Sequence, residues 1–206
     1  MLSGFFPDAP YFPNSSKDVR FAEGESVRET VPRPTGEVRT FGAHELIVTK
    51  TDLKGRLTYA NDVFLRVSAY SEDEAIGQPH NIIRHPDMPK AVFKLLWDTL
   101  AAGQEIFAYV LNLAGDGASY WVLAHVTPSY GARGRIVGYH SSRRLPAPTA
   151  VKAAAALYER LRAEEQRLGG QAGLAASWQL MQDLLAERGQ TYDQYVWELT
   201  NEGASA

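Results

Sequence analysis

Residues 77–89 read Gly-Gln-Pro-His-Asn-Ile-Ile-Arg-His-Pro-Asp-Met-Pro. Each of Pro79, Pro86 and Pro89 fixes its own φ and pushes the preceding residue out of the helical region, so no single helix can run through the stretch. A short helical turn followed by a rigid corner is what remains. His80, Asn81, Arg84, His85 and Asp87 sit within that corner. Polar groups this dense, between two amphipathic segments, form either a well-capped surface corner or the lining of a site held by a rigid scaffold.

Elements on either side follow from local pattern. Glu45–Thr51 is a β-branched apolar run, 52–55 is a Gly-bearing turn, and Leu57–Tyr59 resumes the strand, which reads as a hairpin. Asn61 suits a helix N-cap ahead of Val63, Phe64 and Val67, and Ser71 with Glu74 makes a capping box. From Lys90, the residues Val92, Phe93, Leu96, Trp97 and Leu100 recur at helical spacing until Gly103 stops the helix. Three strands follow, Ile106–Leu113, Tyr120–Pro128 and Ile136–Arg143, joined by turns short enough to require antiparallel pairing. The expected fold is α+β: a five-stranded antiparallel sheet with helices on one face.

Pro146 and Pro148 mark a boundary. Beyond it, Ala150–Leu168 carries an apolar stripe of Leu157, Leu161 and Leu168; Gly169-Gly170 interrupts; Leu174–Glu187 is a second helix, and Thr191 with Gln194 caps a third. The expected division is an N-terminal extension at 1–43, the α+β domain at 44–146 and a C-terminal helical segment at 147–206. Phe5, Phe6, Tyr11 and Phe12 in the extension, and the leucine stripe, point to docking or self-association, so a homodimer is expected.

A net charge of −3 argues against a nucleic-acid partner. No apolar run reaches the roughly 18–20 residues of a membrane span. With neither a signal peptide nor any cysteine, the expected location is cytoplasmic, and disulfides and thiolate metal sites are excluded. The residues hold no Ser-His-Asp set or paired carboxylates in a catalytic context, so an enzyme is not expected.

Tyr59–Phe64, the 77–89 string and Tyr120-Trp121-Val122, in this order of elements, resemble the PAS domain family, and within it the sensor domains of bacterial aerotaxis receptors. The resemblance covers about residues 45–145. It implies a cytoplasmic sensor that holds FAD noncovalently and signals redox state or oxygen supply to an unidentified protein partner. It also implies a stand-alone sensor domain or one cut from a longer protein. Flavin-site residues of the family carry onto Asn61, Arg84, His85, Asp87 and Trp97. Phe93 would add to an apolar slot for the ring, with Asn61, Asn112 or His125 bonding its edge. Arg84 suits a phosphate. The sequence departs from these receptors at Ile106, Ala108, Leu111, Leu113, Ala114 and Gly115. Haem bound through a histidine is one alternative. A cofactor-free interaction module, its pocket filled by Phe107, Tyr109 and Leu111, is the other.

Overall fold

The structure, a computed structural model, describes residues 32–204. The aromatics at positions 5, 6, 11 and 12 lie outside these residues. Five strands, β1 (Ile47–Thr51), β2 (Leu57–Ala60), β3 (Ile106–Leu113), β4 (Ser119–Tyr130) and β5 (Ile136–Arg144), form one antiparallel sheet in the order β2-β1-β5-β4-β3. Helices α1 (Asp62–Ser68), α2 (Glu72–Ala75) and α3 (Lys90–Ala101) lie between β2 and β3 in the chain, with a 3-10 turn at His80–Ile83. The central stretch is thus a turn and a corner, as the prolines require. Gly77 has a φ of 83°, open to glycine without strain, just after α2 closes on Ile76.

Local capping matches the sequence. The Asn61 side chain accepts from the Phe64 N–H, and both halves of the Ser71–Glu74 capping box are present. The core gathers Phe64, Val67, Ile83, Val92 and Tyr120 between the helices and the sheet.

Strand parity gives the sheet two distinct faces. Ala108, Val110 and Asn112 of β3 turn toward α3, and Phe107, Tyr109 and Leu111 turn away. The C-terminal helices α4 (Pro148–Leu168), α5 (Gly170–Glu187) and α6 (Tyr192–Ala204) enclose the β3 side of the domain. On the far face the Tyr158 hydroxyl donates to the Tyr109 carbonyl at 2.7 Å and meets the Tyr192 hydroxyl at 2.9 Å. Trp197 packs its ring 5.1 Å from that of Phe107. Against α3, on the other side, lies α5. Leu161 of the expected association stripe is fully buried within its own chain, while Leu168 is 45% exposed.

An arm ahead of β1 pairs with the start of β4. Thr35 N–H donates to Gly117 O at 3.0 Å and Arg39 N–H to Ser119 O at 2.7 Å.

Candidate functional site

A cavity of about 390 Å³ lies between α3, the 77–89 corner and the inner face of the sheet. That volume falls within the roughly 300–1,000 Å³ of small-molecule sites. Its walls are apolar because three periodicities converge: Phe93, Leu96 and Leu100 from one stripe of α3, Val110 and Val126 from alternate strand positions, and Ile83 from the 3-10 turn.

The polar side of the cavity comes from β1, β5 and the corner. Arg143, 4% exposed, donates through Nη2 to Thr49 Oγ1 at 2.9 Å and to His80 Nε2 at 2.5 Å. His80 therefore accepts at Nε2 and is neutral, its proton on Nδ1. Withdrawal from water and the adjacent Arg143 charge hold the imidazole well below its ordinary pKa. Desolvation likewise pulls the Arg143 guanidinium down to about 10, so it remains a cation at neutral pH.

Arg143 Nη1, Asn112 Nδ2 and Ser141 Oγ are all buried without a hydrogen-bond partner, and all three residues line this cavity. A buried donor left unpaired costs about 1–3 kcal/mol. No carboxylate among the described residues forms an ion pair with Arg143. The cavity thus offers an apolar slot and an unanswered donor set, which fits a planar heteroaromatic ring bearing carbonyl and ring-nitrogen acceptors.

At the mouth the charge is mostly positive, with Arg84, Lys90 and Lys94 against Asp98. Lys94 pairs with Asp98 at 2.5 Å. The Arg84 guanidinium sits 4.2 Å from the Phe93 ring centroid, a cation–π contact. Burial lowers its pKa, and the charge of Glu165 opposes that shift. Trp97 meets the Tyr139 ring edge-on at 5.5 Å.

Of the eight residues singled out from the sequence, Arg84, Phe93, Trp97 and Asn112 come together on this cavity. The other four stand elsewhere. The Asn61 amide is committed to backbone: Oδ1 accepts from Val48 and Phe64, both at 3.0 Å, and Nδ2 donates to Leu46 O at 2.8 Å. His85 turns away from the cavity, accepting the Asp87 N–H at Nδ1 (3.0 Å) and meeting Ser119 Oγ at Nε2 (3.1 Å). Asp87 pairs with Arg162 of α4 at 2.5 Å. His125 lies on the opposite sheet face, stacked on Phe107 at 4.1 Å with Nε2 2.8 Å from Glu105.

Parity also corrects the cofactor-free reading. Phe107, Tyr109 and Leu111 face the C-terminal helices and cannot fill this cavity, whose lining takes Val110 and Asn112 from β3. Among the departures from the aerotaxis receptors, Leu111 and Leu113 share that outward parity, Ile106 and Ala108 share the parity of Val110 and Asn112, and none of the six lines the cavity.

Arg143, Ser141 and Thr49 belong to the site and were not picked out from the sequence; His80 was named there only as one polar group of the 77–89 corner, not among the cofactor-binding residues. One signal was there: Ser141 and Arg143 are polar residues two apart in a strand, on the face where a core residue belongs. Among the described residues no three His, Cys, Asp or Glu side chains gather to hold a metal ion. No helix among them is long and apolar enough to cross a membrane.

Sheet order, crossing helices and a cavity between α3 and the inner sheet face define a small α+β module with room for a ligand, and comparison with known proteins gives its family. Residues 57–143 match the family model described as the PAS fold, and this segment is a PAS domain. The chain is similar to the aerotaxis receptor of Escherichia coli (strain K12), 42% identical over 117 residues, which is 57% of this chain and 23% of the receptor. It is similar to the nitrogen fixation regulatory protein of Klebsiella pneumoniae, 28% identical over 97 residues, 47% of this chain and 20% of that protein. The chain therefore spans less than a quarter of these relatives' length. Among solved structures, the light state of the blue-light photoreceptor Aureochrome1 LOV aligns with a TM-score of 0.49 at 21% identity, covering 53% of this chain and 88% of that one.

Proposed function

We propose that this PAS domain binds FAD noncovalently in the cavity and serves as a sensor of redox state or oxygen supply, not as an enzyme, signalling through protein contacts. The observation that carries this reading is the set of three partnerless polar atoms, on Asn112, Ser141 and Arg143, lining one apolar cavity. Asn112 and Arg143 supply donors for carbonyl and ring-nitrogen acceptors, and Ser141 supplies a hydroxyl that serves either way. Phe93, Leu96 and Val110 exclude water from the ring faces. Arg84, Lys90 and Lys94 supply positive charge for phosphates at the mouth. Similarity to an aerotaxis receptor supports the same reading.

A bound flavin would supply reversible electron uptake, and the chain's own part is to hold it and to respond. With no cysteine in the sequence, no protein thiol is available for a light-driven adduct. A homodimer in the cytoplasm remains part of the proposal, but its contact surface is not Leu161, which is buried at home.

The visible spectrum of the purified protein, before and after incubation with FAD, is the test. Flavin bands that survive gel filtration support the reading. A colourless sample rejects it. A Soret band would favour haem, although His80, the histidine on this cavity, already accepts from Arg143 at Nε2.

A further inference from the structure

The first turn of α3 lacks a cap of its own. Its N-cap is Pro89, whose side chain makes no capping bond. The orphan donors are answered from a distant part of the chain: Lys90 N–H donates to Glu165 Oε2 at 3.0 Å and Ala91 N–H to Glu165 Oε1 at 3.1 Å. Negative charge at a helix N-terminus is favourable on both hydrogen-bonding and dipole grounds. Ser177 of α5, fully buried, donates to the same Oε1 at 2.8 Å. One carboxylate of α4 therefore joins α3, α4 and α5.

The junction is tight and adjoins the ligand site. A Cβ on Gly173 would come within 2.6 Å of the Glu165 carbonyl, so α4 and α5 are in backbone contact at this level. Leu174, the next residue, lines the cavity although it lies outside the matched PAS segment. Lys94 sits over the Trp178 ring at 4.6 Å. Helix α3 is thus held between the cavity on one side, through Phe93 and Leu96, and the α4–α5 hairpin on the other.

We propose that Glu165 is a positioning residue for the ligand site: it fixes the N-terminal turn of α3 to the α4–α5 hairpin, so that filling the cavity and docking the hairpin reinforce each other. This rests on the reading that the cavity holds a flavin. Glu165 itself does not line the cavity, so its effect on the ligand passes through residues that do: the α3 side chains, Leu174 of the hairpin, and Arg84, which feels the Glu165 charge. By linkage, whatever factor the docked hairpin adds to ligand affinity, the ligand adds to hairpin docking.

The experiment uses the full chain with FAD as the probe. Glu165→Ala is expected to weaken FAD binding by about five-fold or more, the low end of typical couplings. Glu165→Gln keeps an acceptor for one of the two N–H groups and is expected to fall between Ala and the parent. Glu164→Ala, which removes only the exposed pair with Arg167, is expected to leave affinity unchanged. Hydrogen exchange supplies the readout that a purely structural role would not move. FAD is expected to slow exchange across 170–178 in the parent protein and to lose that effect in Glu165→Ala. Unaltered FAD affinity in Glu165→Ala, or equal protection of 170–178 by FAD in both proteins, overturns this inference and leaves the flavin reading standing. Failure of the parent protein to bind FAD overturns both.

Discussion

Arg143 donates to His80 across 2.5 Å, so two side chains able to carry positive charge meet at the cavity and only one of them does. The acid limb of stability follows. His80 has its pKa depressed by desolvation and then by Arg143, and burial depresses His85 and His140 as well. Below about pH 6.5 the unfolded chain takes up protons that the folded chain refuses, so stability is complete above that pH and falls as pH drops. The urea midpoint is expected to be lower at pH 5.5 than at pH 7.5, and His80→Gln is expected to shrink the difference. An equal drop in both proteins would remove His80 from this account.

Asn112→Leu separates folding from binding. The change removes a buried donor that has no partner. The ligand-free protein is expected to be at least as stable as the parent, because an unpaired buried donor costs about 1–3 kcal/mol. FAD retention is expected to fall at least tenfold, measured by fluorescence of the filtrate after ultrafiltration. Parental retention would show that the amide does not meet the ring.

Arg84 and Asp87 are three residues apart and have different work. Arg84→Ala is expected to lower FAD occupancy, since its guanidinium lies at the cavity mouth over Phe93. Asp87→Ala breaks a half-exposed pair with Arg162 and is expected to cost no more than about 1 kcal/mol, with occupancy nearly unchanged. Paired thermal melts and flavin absorbance decide it; equal occupancy losses in the two variants would contradict the assignment.

Tyr158→Phe tests the far face. Its buried hydroxyl donates to the Tyr109 carbonyl and meets the Tyr192 hydroxyl. The loss is expected to be about 1–3 kcal/mol in urea unfolding, with the flavin spectrum unshifted. A shifted spectrum would mean that this face communicates with the cavity directly.

Much of this architecture was legible because it is local. The Ser71–Glu74 box, the Thr191–Gln194 cap and the period of α3 are decided by residues three or four apart. The cavity was only half legible. Arg84, Phe93 and Trp97 announce themselves by chemistry and helical spacing, but His80 and Arg143 lie 63 positions apart and meet only through the sheet. Parity misled the reading at His125 and at Phe107, Tyr109 and Leu111: a strand's composition does not say which alternate set faces the helices. Asn61 misled it because one amide can satisfy a cap and a neighbouring strand at once.

The strand order sets a timetable for the site. β5 lies between β1 and β4, with Ile47 opposite Arg143, so the last strand to be made closes the middle of the sheet. Thr49 and Arg143, 94 positions apart, touch only after that insertion. Contacts of such separation form late and slowly, because the loop entropy is lost before the contact is gained. On the ribosome, the strands that α3 packs against, β3 and β4, emerge before β5, so what waits for residue 143 is the polar side of the cavity. The polar side of the cavity is completed by the last strand, and ligand capture is an event of the finished domain rather than of the growing chain.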